Sequence, residues 1–123
     1  MNGLHIGEAE LEIMKVLWQA GGELTTAEIN RAVEDKGWKR TTVSTFLTRL
    51  AEKGAVTCEK RGTLYYYTAA ISGEEYRRQQ TGRLVEQLFG GSPTALAASL
   101  FENVTLSDAD VEQLRAIIEG SRT

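Results

Sequence analysis

The chain has a single cysteine, Cys58, and a single histidine, His5, so it cannot assemble a disulfide framework, a cysteine zinc cluster or a Cys/His nucleophile pair. It has no apolar run approaching the ~20 residues that cross a bilayer, and no basic stretch leads into an apolar one at its start. These absences set the expectation of a reduced, cytoplasmic setting with no membrane insertion, no cofactor and no metal. An excess of positive charge is missing too: 14 Lys and Arg stand against 17 Asp and Glu, a net charge of −3. At face value that opposes a nucleic-acid partner. The 123 residues, 41% hydrophobic and 25% charged, suit one small domain or two very small ones.

The distribution of charge reverses that first impression. Residues 1–35 sum to −5 and residues 62–123 to −3, whereas residues 36–61 carry Lys36, Lys39, Arg40, Arg49, Lys53, Lys60 and Arg61 against Glu52 and Glu59, a net +5. The positive charge sits in one short window.

Around that window the elements follow a recognisable order. Leu11, Met14, Leu17 and Trp18 recur at helical spacing among Glu8, Glu12 and Lys15, which predicts a helix over 7–20, stopped by Gly21 and Gly22. Residues 23–25 suffice only for a short strand. Thr25 with Glu28 is a capping box that opens a second helix, with Ile29, Ala32 and Val33 as its buried stripe and Gly37 at its end. A third helix spans 40–53 and stops at Gly54, a spacing typical of a helix-turn-helix. Alternation then takes over: Val56 and Cys58 share a strand face, residues 59–63 form a polar turn, and the tyrosine-rich segment 64–68 is the return strand. Helix, short strand, two helices and hairpin make a winged helix, with a wing about 59–64. From Ser72 on, three helices follow: one to about Phe89, one opened by Ser92 and Pro93, and one opened by Ser107. The expected fold is mainly α with a small β-hairpin wing, residues 1–71 forming the winged helix and 72–123 a helical dimerisation region.

In the third helix Val43, Phe46, Leu47 and Leu50 cluster on one side at ~100° per residue, while Thr41, Ser44, Thr45 and Thr48 line the other. Serine and threonine are mediocre helix formers, so a plain solvated face would more often carry Glu, Lys, Gln or Ala. Hydroxyls suit phosphate oxygens and base edges, and a threonine methyl packs on thymine. Arg40, Thr41, Ser44, Thr45 and Thr48 are therefore assigned base or near-base contacts on double-stranded DNA. Lys39, Thr42, Arg49, Lys60 and Arg61 are assigned phosphates, and the start of the preceding helix at Thr26 and Ala27 offers backbone N–H groups to another. Trp18 and Trp38 are expected to anchor the core, and Tyr65, Tyr66 and Tyr67 to pack alternately inward from the wing. Cys58 is expected to face the core, and Glu8, Glu10 and Glu12 to be the solvated side of the first helix. No nucleophile, base and orienting group come together, which argues against an enzyme. The remaining alternative is a winged-helix protein-interaction module.

The stretches 7–18 (GEAELEIMKVLW) and 41–50 (TTVSTFLTRL), with Lys53-Gly54 and Tyr65-Tyr66-Tyr67, resemble the BlaI/MecI family of penicillinase repressors. The resemblance implies a homodimeric repressor of palindromic operators, with the helix at 40–53 in the major groove and interlocking helices over 72–120. In the antibiotic-resistance members it also implies release by a membrane sensor protease that cuts between asparagine and phenylalanine. The nearest equivalent here is Asn103-Val104, without the phenylalanine. A copper-sensing branch uses paired C-terminal cysteines, and this chain has no cysteine after Cys58. Dimerisation is also expected from the residues themselves. The segment 73–123 is shorter than the ~70–80 residues that usually make a sufficient core, and it carries apolar stripes of Leu84, Val85, Leu88, Phe89, Leu96, Leu100, Phe101, Val111, Leu114, Ile117 and Ile118.

Overall fold

The computed structural model describes residues 4–121. In chain order the elements are α1 (Glu8–Ala20), β1 (Leu24–Thr25), α2 (Thr26–Ala32), α3 (Arg40–Glu52), β2 (Val56–Arg61), β3 (Leu64–Ala69), α4 (Gly73–Phe89), α5 (Pro93–Asn103) and α6 (Asp108–Gly120). The chain divides into two compact units, one through Thr81 and the other from Gly82, so that the division falls within α4.

The first unit is a winged helix closed around one core. Ile13, Met14 and Leu17 of α1, Ile29 of α2 and Val43, Leu47 and Leu50 of α3 are at most 2% exposed, and full burial of such side chains contributes about 1.5–3 kcal/mol each. Apart from α3, whose start at Lys39 has no side-chain cap, each helix begins where its sequence supplies a partner for free N–H groups. At α2 the Thr25 hydroxyl accepts from the Glu28 N–H at 3.2 Å and the Glu28 carboxylate accepts from the Thr25 N–H at 2.8 Å. α1 ends at Gly21, whose φ of +72° closes the helix onto the Leu17 carbonyl.

β1, β3 and β2 form an antiparallel sheet in that order. β2 and β3 pair from Val56 with Ala69 to Arg61 with Leu64, which leaves only Gly62 and Thr63 in the turn. The wing is thus tighter than the predicted turn at 59–63, and Glu59, Lys60 and Arg61 are strand residues. Gly62 sits at φ +62°, as a two-residue hairpin of this twist requires at its first position. Trp18 ties the start of α4 to the same core: its indole N–H donates to the Ile71 carbonyl at 2.8 Å and its ring lies 5.8 Å from that of Tyr76. A Cβ on Gly73 would stand 3.2 Å from that indole.

Four other expectations change in three dimensions. Cys58 is exposed, because β2 is an edge strand that leaves the core after Val56, while the opposing Tyr67 on the central strand still packs against it. Glu10 is 5% exposed rather than solvated. Its carboxylate accepts from the Gly7 N–H at 2.9 Å and pairs with Lys53 at 2.5 Å, joining the start of α1 to the end of α3. α2 stops at Ala32 and a 3-10 turn, Glu34–Lys36, fills the space before Gly37. That early stop leaves Ala32 exposed while Val33 remains buried.

In the second unit, Ser92 caps α5 by accepting from the Ala95 N–H at 3.0 Å, with Pro93 in its first turn. Ser107 and Asp110 form a reciprocal capping box on α6. Among the described residues none after Tyr76 is buried. Leu84, Leu88, Leu100, Phe101, Ile117 and Ile118 are exposed, and Val85, Phe89, Leu96, Val111 and Leu114 are half-buried.

Candidate nucleic-acid interface

α3 presents the face its sequence pattern implies. Thr41, Ser44, Thr45 and Thr48 are all exposed, opposite the buried Val43, Leu47 and Leu50, while Thr42 is half-buried. The Thr45 hydroxyl donates to the Thr41 carbonyl at 3.0 Å, so its proton is committed and it offers solvent an acceptor and a methyl group. Thr41, Ser44 and Thr48 make no side-chain hydrogen bond among the described residues and can donate outward. The entry of the helix is set by Trp38, which packs edge-on against Phe46 at 5.2 Å.

The basic window separates into two kinds of cation. Lys36 pairs with Glu12 at 3.3 Å, Lys53 with Glu10, and Arg61 with Glu23 and Glu59. Lys39, Arg40, Arg49 and Lys60 are exposed and lie outside the ion pairs among the described residues. Arg61 makes parallel contacts of 2.8 Å to both Glu23 oxygens, donates through Nε to Glu59 at 3.0 Å, and stacks 4.4 Å from the centre of the Tyr66 ring. Hydrogen bonding to Arg61 holds the Glu23 carboxyl below the usual carboxylate range. Arg61 therefore braces the wing against the segment before β1, and its guanidinium is occupied.

Between α2, the start of α3 and the wing lies a hollow of about 380 Å³ lined by Thr26, Ala27, Asn30, Arg40, Ser44, Thr63, Leu64 and Tyr65. It brings together four of the residues singled out in the sequence, Thr26, Ala27, Arg40 and Ser44. It adds Thr63 and Leu64 from the wing, which were not individually assigned a contact, and Asn30 and Tyr65, which lie outside the elements assigned to DNA. The available signal was strand period. Tyr65 and Tyr67 share a face of β3, but only Tyr67 reaches the core, where burial pushes its phenol up to about 12 with the Cys58 thiol beside it. Tyr65, two residues nearer the tip, is 44% exposed, and the Lys60 ammonium lies 5.6 Å from its ring centre. No group of three or more potential metal-binding His, Cys, Asp or Glu side chains occurs among the described residues.

The sequence profile described as penicillinase repressor matches residues 6–120. The chain belongs to the penicillinase repressor family. A family relative, the penicillinase repressor of Bacillus licheniformis, is 30% identical over 114 residues, covering 93% of this chain and 89% of the relative. The solution structure of the DNA-binding domain of the repressor BlaI is 35% identical, covers 62% of this chain and 94% of that one, and superposes with a TM-score of 0.54. A second solution structure, of monomeric Bacillus licheniformis BlaI in complex with the blaP half-operator, matches over the same shares at 35% identity and a TM-score of 0.52. No helix of this family member, among the described residues, is long and apolar enough to cross a membrane.

Proposed function

We propose that this chain is a cytoplasmic DNA-binding transcriptional repressor that acts as a homodimer on palindromic operators. The observation that carries the reading is the exposed hydroxyl row of α3, flanked by Lys39 and Arg40 and by the wing cation Lys60. Arg40, Thr41, Ser44, Thr45 and Thr48 make base or near-base contacts at the major groove, and Lys39, Thr42, Arg49 and Lys60 meet phosphates. Arg61 serves the same surface chiefly by bracing the wing. Membership of the family, and the half-operator complex of the relative, support this assignment.

The second unit supplies the dimer. Leu88 at 70% exposure, Ile117 at 66% and Phe101 at 57% present more apolar surface than a small unit leaves in water, and a second copy of the same helices covers it. Two-fold pairing sets two copies of α3 about one DNA turn, ~34–36 Å, or a multiple of it apart. Asn103 ends α5 and Val104 continues in extended backbone at 50% exposure. An exposed, extended peptide at a helix end suits a sensor protease, and release of repression by cleavage there is part of the reading.

The test is a mobility shift on promoter DNA from the protein's own operon, repeated across salt concentrations. Binding weakens as salt rises. Lys60→Ala lowers affinity alike on operator and random DNA, while Thr45→Ala lowers it preferentially on the operator. A salt-insensitive interaction, or none with any promoter, refutes the proposal and favours a protein-interaction module.

A further inference from the structure

We propose that the hollow between α2, the start of α3 and the wing tip seats a single DNA phosphodiester, and that the Tyr65 hydroxyl is one of its hydrogen-bond donors. The inference rests on the DNA-binding reading and assigns a role within it to a residue outside the recognition helix. Its ground is the chemistry that converges there. Arg40 contributes a guanidinium with no ion-pair partner among the described residues, and Ser44, Thr63 and Tyr65 contribute hydroxyls. No carboxylate lines the space. The adjoining hollow, of about 270 Å³, shares Ala27, Asn30 and Arg40 but includes Glu34, whose charge opposes a phosphate. Of the two, only the first is both donor-rich and free of acid.

The wing is braced so that Tyr65 holds its place. Arg61 is held by Glu23 and Glu59 and stacks on Tyr66, which fixes the end of β2 and the opposite face of β3. Lys60 lies by the Tyr65 ring and keeps a positive charge beside the phenol. The Tyr65 hydroxyl makes no hydrogen bond among the described residues, so it can donate to an incoming anion without breaking a contact. A phosphodiester offers two charged acceptor oxygens, one for Arg40 and one for the hydroxyls of the wing side.

The experiment uses the full chain and a duplex it enriches from a random-sequence pool, remade with one neutral methylphosphonate at a time. Wild-type protein is expected to lose affinity at each contacted phosphate, including a loss of about tenfold, the size of a lost hydrogen bond to a charged group, at the one position per half-site that the hollow seats. Tyr65→Phe, which keeps the ring, is expected to lose a similar factor on unmodified DNA and little more when that same phosphate is neutral. Thr63→Val provides a second measure of the coupling should Tyr65→Phe shift the unfolding midpoint. Independent losses at every phosphate, or Tyr65→Phe binding like wild type, overturn the proposal and leave the repressor reading standing. Failure to enrich any duplex overturns both.

Discussion

The stretch through Thr81 and the stretch from Gly82 share one sequence pattern, apolar residues at helical spacing among polar ones, yet they end differently. In the first, Ile13, Leu17, Val43, Leu47 and Leu50 close on one another and are at most 2% exposed. In the second, Leu88, Phe101, Ile117 and Ile118 are all more than half exposed. Periodicity identifies which face of a helix is apolar but not what covers it. The first stretch has α1, α2, α3, the first part of α4 and a sheet to cover its faces from within; the second has the rest of α4, α5 and α6 and leaves their faces exposed.

Substitutions of one kind in both stretches test that contrast most strongly. Leu47→Ala should cost about 2–5 kcal/mol, read by urea unfolding through Trp18 and Trp38, which both pack on the first core. The same change at Leu88 should leave this transition within ~0.5 kcal/mol, while Leu88→Glu shifts sedimentation from dimer to monomer. A Leu88→Ala loss as large as that of Leu47→Ala would mean that the second stretch has no separate, uncovered face.

A smaller effect is expected at the ion pair that joins α1 to α3. Burial by itself would raise the Glu10 carboxyl, but Lys53 and the Gly7 N–H outweigh it and hold the group below its ordinary value of 4.5. A lowered value in the folded state stabilises fully above about pH 4.5 and is lost as pH falls through the folded value. Lys53→Met should therefore cost about 1–3 kcal/mol at neutral pH by leaving a buried carboxylate unpaired. The cost should shrink towards pH 3, and an equal loss at both pH values would remove the pair from the account.

The smallest change concerns the wing. Glu23→Gln removes an acid from the DNA-facing unit, and charge alone predicts tighter DNA binding. Since Glu23 braces Arg61, looser operator binding with an unchanged unfolding midpoint is expected instead. Tighter binding in a fluorescence anisotropy titration would show that Arg61, once freed, contacts phosphate directly.

Element order was legible from local signals: the Thr25–Glu28 box, the glycines at 21, 37, 54 and 62, and the change from helical to alternating period after Gly54. The hydroxyl face of α3 was legible for the same reason, since a helix repeats every 3.6 residues wherever it is placed. Cys58 was misjudged, and Tyr65 was not told apart from Tyr67, because a strand's alternation says which residues share a face and not where the core beneath that face ends. Glu10 was misjudged because its partner is 43 residues away.

The sequence by itself determined the elements, their caps and the +5 window, because helix phase, turn chemistry and charge are properties of neighbouring residues. Only the tertiary structure decided which charges in that window remain available. It pairs Lys36, Lys53 and Arg61 with Glu12, Glu10 and Glu23 from the acidic first 35 residues, and leaves Lys39, Arg40, Arg49 and Lys60 outside those pairs. The physical reason is range. A carboxylate neutralises a cation within a few ångströms in space, and distance along the chain does not set that separation.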